Sequence, residues 1–97
     1  MTKHIVMFQL QGSDEERREV ALRFKDALDK LPSQIDVLQS IAVALNENPA
    51  EDWDIVLTAI VPTIDDVATY AKHPAHVAAA AIIKDVKRAR ACVDYTY

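Results

Sequence analysis

Residues 3–16 read Lys3-His-Ile-Val-Met-Phe-Gln-Leu-Gln-Gly-Ser-Asp-Glu-Glu16. The first half, Lys3 to Leu10, is β-branched, aromatic and almost wholly apolar, which predicts a strand. His4, Val6, Phe8 and Leu10 fall on one face; Ile5, Met7 and Gln9 fall on the other. Gly12 ends the strand. Ser13 then stands three residues before Glu16, the spacing of a capping box, and the acids at 14–16 suit the positive end of a helix dipole. Val20, Phe24, Ala27, Leu28 and Leu31 recur at helical spacing, and Pro32 stops them, so a helix is expected over 14–31.

Working outward, residues 35–45 place Ile35, Val37, Ile41, Val43 and Leu45 on one side, which predicts a strand. Leu38, Ile41, Ala42 and Leu45 also fit a helical period, so a helix competes there. Residues 46–52 form a polar loop, and 53–61 a strand rich in Trp, Ile, Val and Thr. Thr63 caps a short helix reaching about Lys72. Pro74 pushes His73 out of helical geometry and opens a second helix over 75–87, favoured by its alanines. Residues 89–97 close as a strand. The order strand–helix–strand–strand–helix–helix–strand is the ferredoxin-like βαββααβ arrangement, an α+β fold with an antiparallel four-stranded sheet in the order 4-1-3-2.

Composition bounds the rest. The 97 residues are 51% hydrophobic with one Gly and one Cys, which fits a single domain over 1–97 and excludes disorder and an intrachain disulfide framework. The longest apolar run, Val77 to Ile83, is too short to span a bilayer, so no membrane partner is expected. A net charge of −4 argues against a nucleic-acid partner. No signal-peptide core follows Lys3 and His4, and Cys92 reads as a small core hydrophobe, so the expected compartment is the cytoplasm. Helices cover one face of such a sheet, yet both faces are apolar here. A second copy covering the free face, a homodimer, is therefore expected.

Chemistry concentrates in Tyr70-Ala-Lys-His73-Pro74-Ala75-His76 and in the distant His4; these hold all three histidines. His76 lies near a helix N-terminus, where the dipole disfavours imidazolium, so it suits a general base. Tyr70 can donate a hydrogen bond to a substrate oxygen. Asp94, on the antiparallel last strand, is placed to pair with His4. A plainer reading competes: His73-Pro74 as a helix corner with a capping imidazole, and His76 as a packing residue. Spacing alone favours it, because a His-Pro-x-His string has no strict mechanistic grammar. His73 and His76 lack the i, i+4 spacing of paired helical ligands, so no metal site is expected unless the fold brings Asp94 and His4 together to complete one. A single Gly cannot build a phosphate loop, and no cofactor is expected either. Lys84, Lys87, Arg88 and Arg90 read as a helix end that complements the dipole.

The segments "KHIVMFQL", "DWDIVLTAIV", "YAKHPAHV" and "RACVDYTY", in this order and over nearly the whole chain, resemble the stress-responsive A/B barrel domain (Dabb) family. The resemblance implies a ferredoxin-like subunit and a homodimer forming a dimeric α+β barrel. It also implies an internal pocket for a small molecule. A plant cyclase of this family performs a cofactor-free aldol condensation. By that resemblance His76, Tyr70 and His4 are the catalytic residues, His76 and Tyr70 as the reacting pair and His4 as a pocket histidine that assists in positioning. Val20, Phe24, Val56, His73, Ala79, Ala80 and Arg90 are the implied ligand-binding positions. Arg90 puts charge where an apolar wall is expected, and Ala78 to Ala81 replace aromatic bulk, so a long polyketide is not implied and a smaller or anionic ligand is equally expected. The alternative to a cyclase-like lyase is a non-catalytic ligand-binding or stress-related structural dimer.

Overall fold

The computed structural model describes residues 1–97. Strand β1 (Thr2–Leu10) leads into helix α1 (Asp14–Asp29), followed by a short 3-10 turn at Leu31–Ser33. Strands β2 (Ser40–Leu45) and β3 (Ile55–Val61) come next, then helices α2 (Ile64–Lys72) and α3 (Pro74–Ala81), and strand β4 (Lys87–Thr96) closes the chain. The sheet is antiparallel in the order β2-β3-β1-β4, as the element order implies.

Local chemistry explains the joints. Gly12 has φ 121°, a region that side-chain-bearing residues rarely adopt, and it turns the chain out of β1. Ser13 Oγ accepts from the Glu16 N–H at 3.2 Å, starting α1. At α2 the Asp66 carboxylate accepts from both the N–H and the hydroxyl of Thr63. Asp54 ties the start of β3 to the end of β1 by accepting from the Leu10 N–H at 2.7 Å.

The core fills the space between the sheet's inner face and the helices. Alternate β1 residues Val6, Phe8 and Leu10 meet Ala21, Phe24 and Leu28 of α1 in one buried cluster, with Leu57 and Ala59 from β3. Phe8 and Phe24 meet edge to face at 5.4 Å between centroids.

Four sequence expectations need correction. The strand expected over 35–45 begins only at Ser40, because Ile35 and Leu38 are buried in the turn beneath α1 rather than in the sheet. The strand expected from Trp53 begins at Ile55. The helix expected over 75–87 ends at Ala81; Ile82 to Val86 form turns, and Lys87 already pairs with Leu10 beside a bulge in β1–β4. The expected barrel is also absent. The sheet is open: β2 and β4 lie at opposite edges, separated by β3 and β1, and nothing hydrogen-bonds them to each other. Four strands spaced by about 4.8 Å make a sheet too narrow to close on itself.

Candidate functional site

A cavity of about 380 Å³ lies between the inner face of β1 and β4 and the helices α2 and α3. On the sheet side, His4 of β1 stands opposite Asp94 of β4. Antiparallel pairing and the two-residue side-chain repeat put Cys92 and Arg90 on the same inward face. His4 is buried, and its Nδ1 lies 2.5 Å from Asp94 Oδ1. The carboxylate accepts from Nδ1–H. Burial, then the neighbouring Asp94 carboxylate, push the Cys92 thiol above its ordinary value.

On the helix side, Tyr70 lies in the last turn of α2 and His76 is the third residue of α3. Between them His73 is extended, as the following Pro74 demands, so the two helices turn sharply. The Tyr70 ring sits between two imidazoles. Its centroid is 5.8 Å from that of His4 and 4.6 Å from that of His76. Tyr70 is fully buried, yet its hydroxyl has no hydrogen-bond partner. Burial holds that phenol well above its ordinary pKa, so it stays a donor.

His76 Nδ1 lies 3.0 Å from the Ala71 carbonyl oxygen. A carbonyl only accepts, so Nδ1 carries the proton and Nε2 is the basic nitrogen of the neutral ring. Burial of the ring lowers its pKa; the Ala71 carbonyl opposes this, while His4 and Arg90 add to it. The unfolded chain keeps a value near 6.5 and so binds more protons than the folded chain between the two values. Stability contributed by His76 is therefore complete above about pH 6.5 and is lost as pH falls towards the folded value. Urea midpoints measured from pH 5 to 7 are expected to rise more steeply for the wild type than for His76→Gln. Parallel curves would refute this linkage.

The structure brings His4, Tyr70, His76, Phe24, Ala80 and Arg90 together around the cavity. It does not bring the other expected positions there. His73 caps α3, its Nδ1 accepting from the Ala75 N–H at 3.0 Å, which is the helix-corner role. Val56 lies on the outer sheet face opposite Met7 and is 37% exposed. Ala79 is buried in the core and lines a separate groove with Ala27 and Leu31 of the α1 end. Val20 packs against the core cluster. Sequence reading missed Lys87 and the cavity role of Cys92, which is exposed at the cavity wall rather than a core residue. Strand parity carries the signal for Cys92: it shares a face with Asp94, and the register puts Asp94 opposite His4.

A family model described as the Stress responsive A/B Barrel Domain matches residues 2–97. The chain belongs to this Dabb family. A protein of unknown function from Bacteroides fragilis NCTC 9343, described as dimeric and ferredoxin-like, is 46% identical over 99% of this chain and 95% of its own, with a TM-score of 0.96. A dimeric ferredoxin-like protein of unknown function from Thermobifida fusca YX is 28% identical over 99% and 90%, with a TM-score of 0.80. A protein from Arabidopsis thaliana is 20% identical over 100% and 95%, with a TM-score of 0.76, a likeness of fold alone. Among curated protein sequences no match is found. No helix of this Dabb chain is long and apolar enough to cross a membrane.

Proposed function

We propose that this Dabb protein is a homodimer that binds a small carbonyl- or hydroxyl-bearing molecule in the cavity between α2, α3 and the sheet. The observation that carries the reading is the Tyr70 hydroxyl: buried, unpartnered and at the cavity wall. A buried donor without an acceptor costs about 1–3 kcal/mol, a cost that a ligand oxygen removes on binding. The volume of about 380 Å³ suits a small metabolite. Arg90 and Lys87 at the wall favour a ligand with an anionic end. The dimer rests on the exposed apolar sheet face and on the dimeric relative that shares 46% of its residues.

A second reading has its own support, the His76 tautomer. With Nδ1–H held by Ala71, Nε2 is free to take a proton alpha to a carbonyl, while Tyr70 donates to the developing enolate oxygen. This is the chemistry of a cofactor-free cyclase or lyase, and it draws on the likeness of His76, Tyr70 and His4 to the site of plant olivetolic acid cyclase. His4, oriented by Asp94, would position the substrate.

Thermal melting against a panel of small oxo acids, phenols and β-dicarbonyl thioesters tests the first reading. At least one compound is expected to raise the midpoint of the wild type and to leave Tyr70→Phe unmoved. A panel that shifts neither protein, or both equally, overturns it. Proton NMR of the best compound then separates the two readings. Binding alone leaves it intact; catalysis consumes it with the wild type and at least 100-fold more slowly with His76→Ala.

A further inference from the structure

We propose that His4 Nδ1, Cys92 Sγ and the Asp94 carboxylate form an open, three-ligand site for a divalent transition metal of the zinc class. Three donor atoms of three kinds converge within 4.8 Å of one another, from residues about ninety positions apart in sequence. Cys92 Sγ lies 3.5 Å from His4 Nδ1 and 3.5 Å from Asp94 Oδ1.

Those separations suit tetrahedral coordination. With zinc–ligand bonds of about 2.3 Å to sulfur and about 2.0 Å to nitrogen or oxygen, the tetrahedral angle puts sulfur roughly 3.5 Å from each of the others. The same geometry needs about 3.3 Å between nitrogen and oxygen. Here Nδ1 and Oδ1 are 2.5 Å apart, sharing a hydrogen-bond proton. When a metal binds Nδ1 the ring keeps its proton on Nε2, the Cys92 thiol proton leaves to water, and the Nδ1 and Oδ1 atoms separate by roughly 0.8 Å. The Asp94 side chain, 31% exposed, has room to rotate, whereas His4 is fixed by burial.

Donor chemistry narrows the metal. One thiolate, one imidazole and one carboxylate suit zinc or cobalt, and the soft sulfur disfavours magnesium and calcium. Thiolate and carboxylate together balance a dication. Arg90, on the same cavity wall, opposes the cation and is the local charge the two anions must outweigh. Three protein ligands leave the fourth position for water, and the same three residues line the cavity that holds Tyr70 and His76. The site is independent of the ligand-binding reading: binding through Tyr70 does not require it, and it does not require Tyr70.

The test uses the full chain without an affinity tag, with zinc chloride and cobalt chloride as the only probes. Equilibrium dialysis is expected to find one zinc ion per chain after washing. Cobalt is expected to give a thiolate-to-cobalt charge-transfer band and the intense visible absorption of a four-coordinate ion. Cys92→Ser should abolish the charge-transfer band and weaken zinc binding at least tenfold. Asp94→Asn should weaken zinc binding by a similar factor. His73→Gln should leave both readouts unchanged, since that imidazole caps α3. Melting of each variant in chelator checks its fold. The wild-type cobalt spectrum decides alone if a variant does not fold. No retained ion, a weak six-coordinate cobalt spectrum, or Cys92→Ser and Asp94→Asn binding like the wild type would each overturn the site.

Discussion

Tyr70→Phe is expected to make the unliganded protein more stable and to remove its response to ligand. The hydroxyl of Tyr70 is buried and without a partner, while its ring is packed between His4 and His76. Phe keeps the ring and its edge contacts and deletes only the unsatisfied group. Leaving a buried polar atom unpaired costs about 1–3 kcal/mol, so the gain is of that order. For a domain of this length each kcal/mol moves the midpoint by about 4–8 °C. Differential scanning calorimetry should therefore show the variant melting roughly 4–24 °C higher. Few substitutions of a buried residue stabilise a protein, so the sign is informative. A core tyrosine whose hydroxyl is satisfied by ordered water would give the opposite sign, because deleting the group would strand that water's other partners. The combination of higher stability with lost ligand response marks a residue kept for binding rather than for packing.

The parts of the fold legible in the sequence are those where one local signal has one physical meaning. The β-branched and aromatic run Lys3–Leu10 marked a strand, and the residues grouped on one face, His4, Val6, Phe8 and Leu10, are the buried ones while Met7 on the other is exposed. Ser13 and Glu16 marked the start of α1 because an N-cap needs a side-chain acceptor there. Ile35 and Val37 misled because alternation reports burial as readily as extension. Ile35 and Leu38 are buried by packing into a turn, with no strand needed to put them there. The end of α3 was invisible because Ile82, Ile83 and Val86 continue an apolar helical pattern. The chain leaves the helix to let Lys87 pair with Leu10, a partner far away in sequence. Within the site, His4, Tyr70 and His76 were legible as a group through resemblance, but not their geometry. The hydrogen bond from His76 to Ala71 follows from the angle between two helices, and the cluster of His4, Cys92 and Asp94 follows from register. Val56 shows the opposite failure. Its neighbour Leu57 faces the core, so parity alone places Val56 outside.

Val93→Asp is expected to convert the dimer into single chains. Val93 is 62% exposed on the outer sheet face, and the register sets it beside Ile5. Met7 and Val56, each 37% exposed, continue the apolar surface across the next strands, and Tyr95 at 41% extends it along β4. No helix of this chain covers that face, whereas a second copy would. Such an interface is isologous, so one substitution enters twice. Each carboxylate would have to leave water without a cationic partner, a cost of several kcal/mol per ion. Lys3 is the nearest basic residue on the face, and its ammonium already lies 4.8 Å over the Tyr97 ring. The doubled penalty corresponds to a dimer dissociation constant at least about 1,000-fold weaker, since every 1.4 kcal/mol is a factor of ten. Sedimentation equilibrium over micromolar concentrations reads this directly. The wild type should sediment as two chains and Val93→Asp as one. A substitution of the same kind at Leu22, which is 45% exposed on α1 away from the sheet, should leave the dimer intact. If Leu22→Asp dissociates the protein and Val93→Asp does not, the contact runs through the helices, and the open sheet faces water.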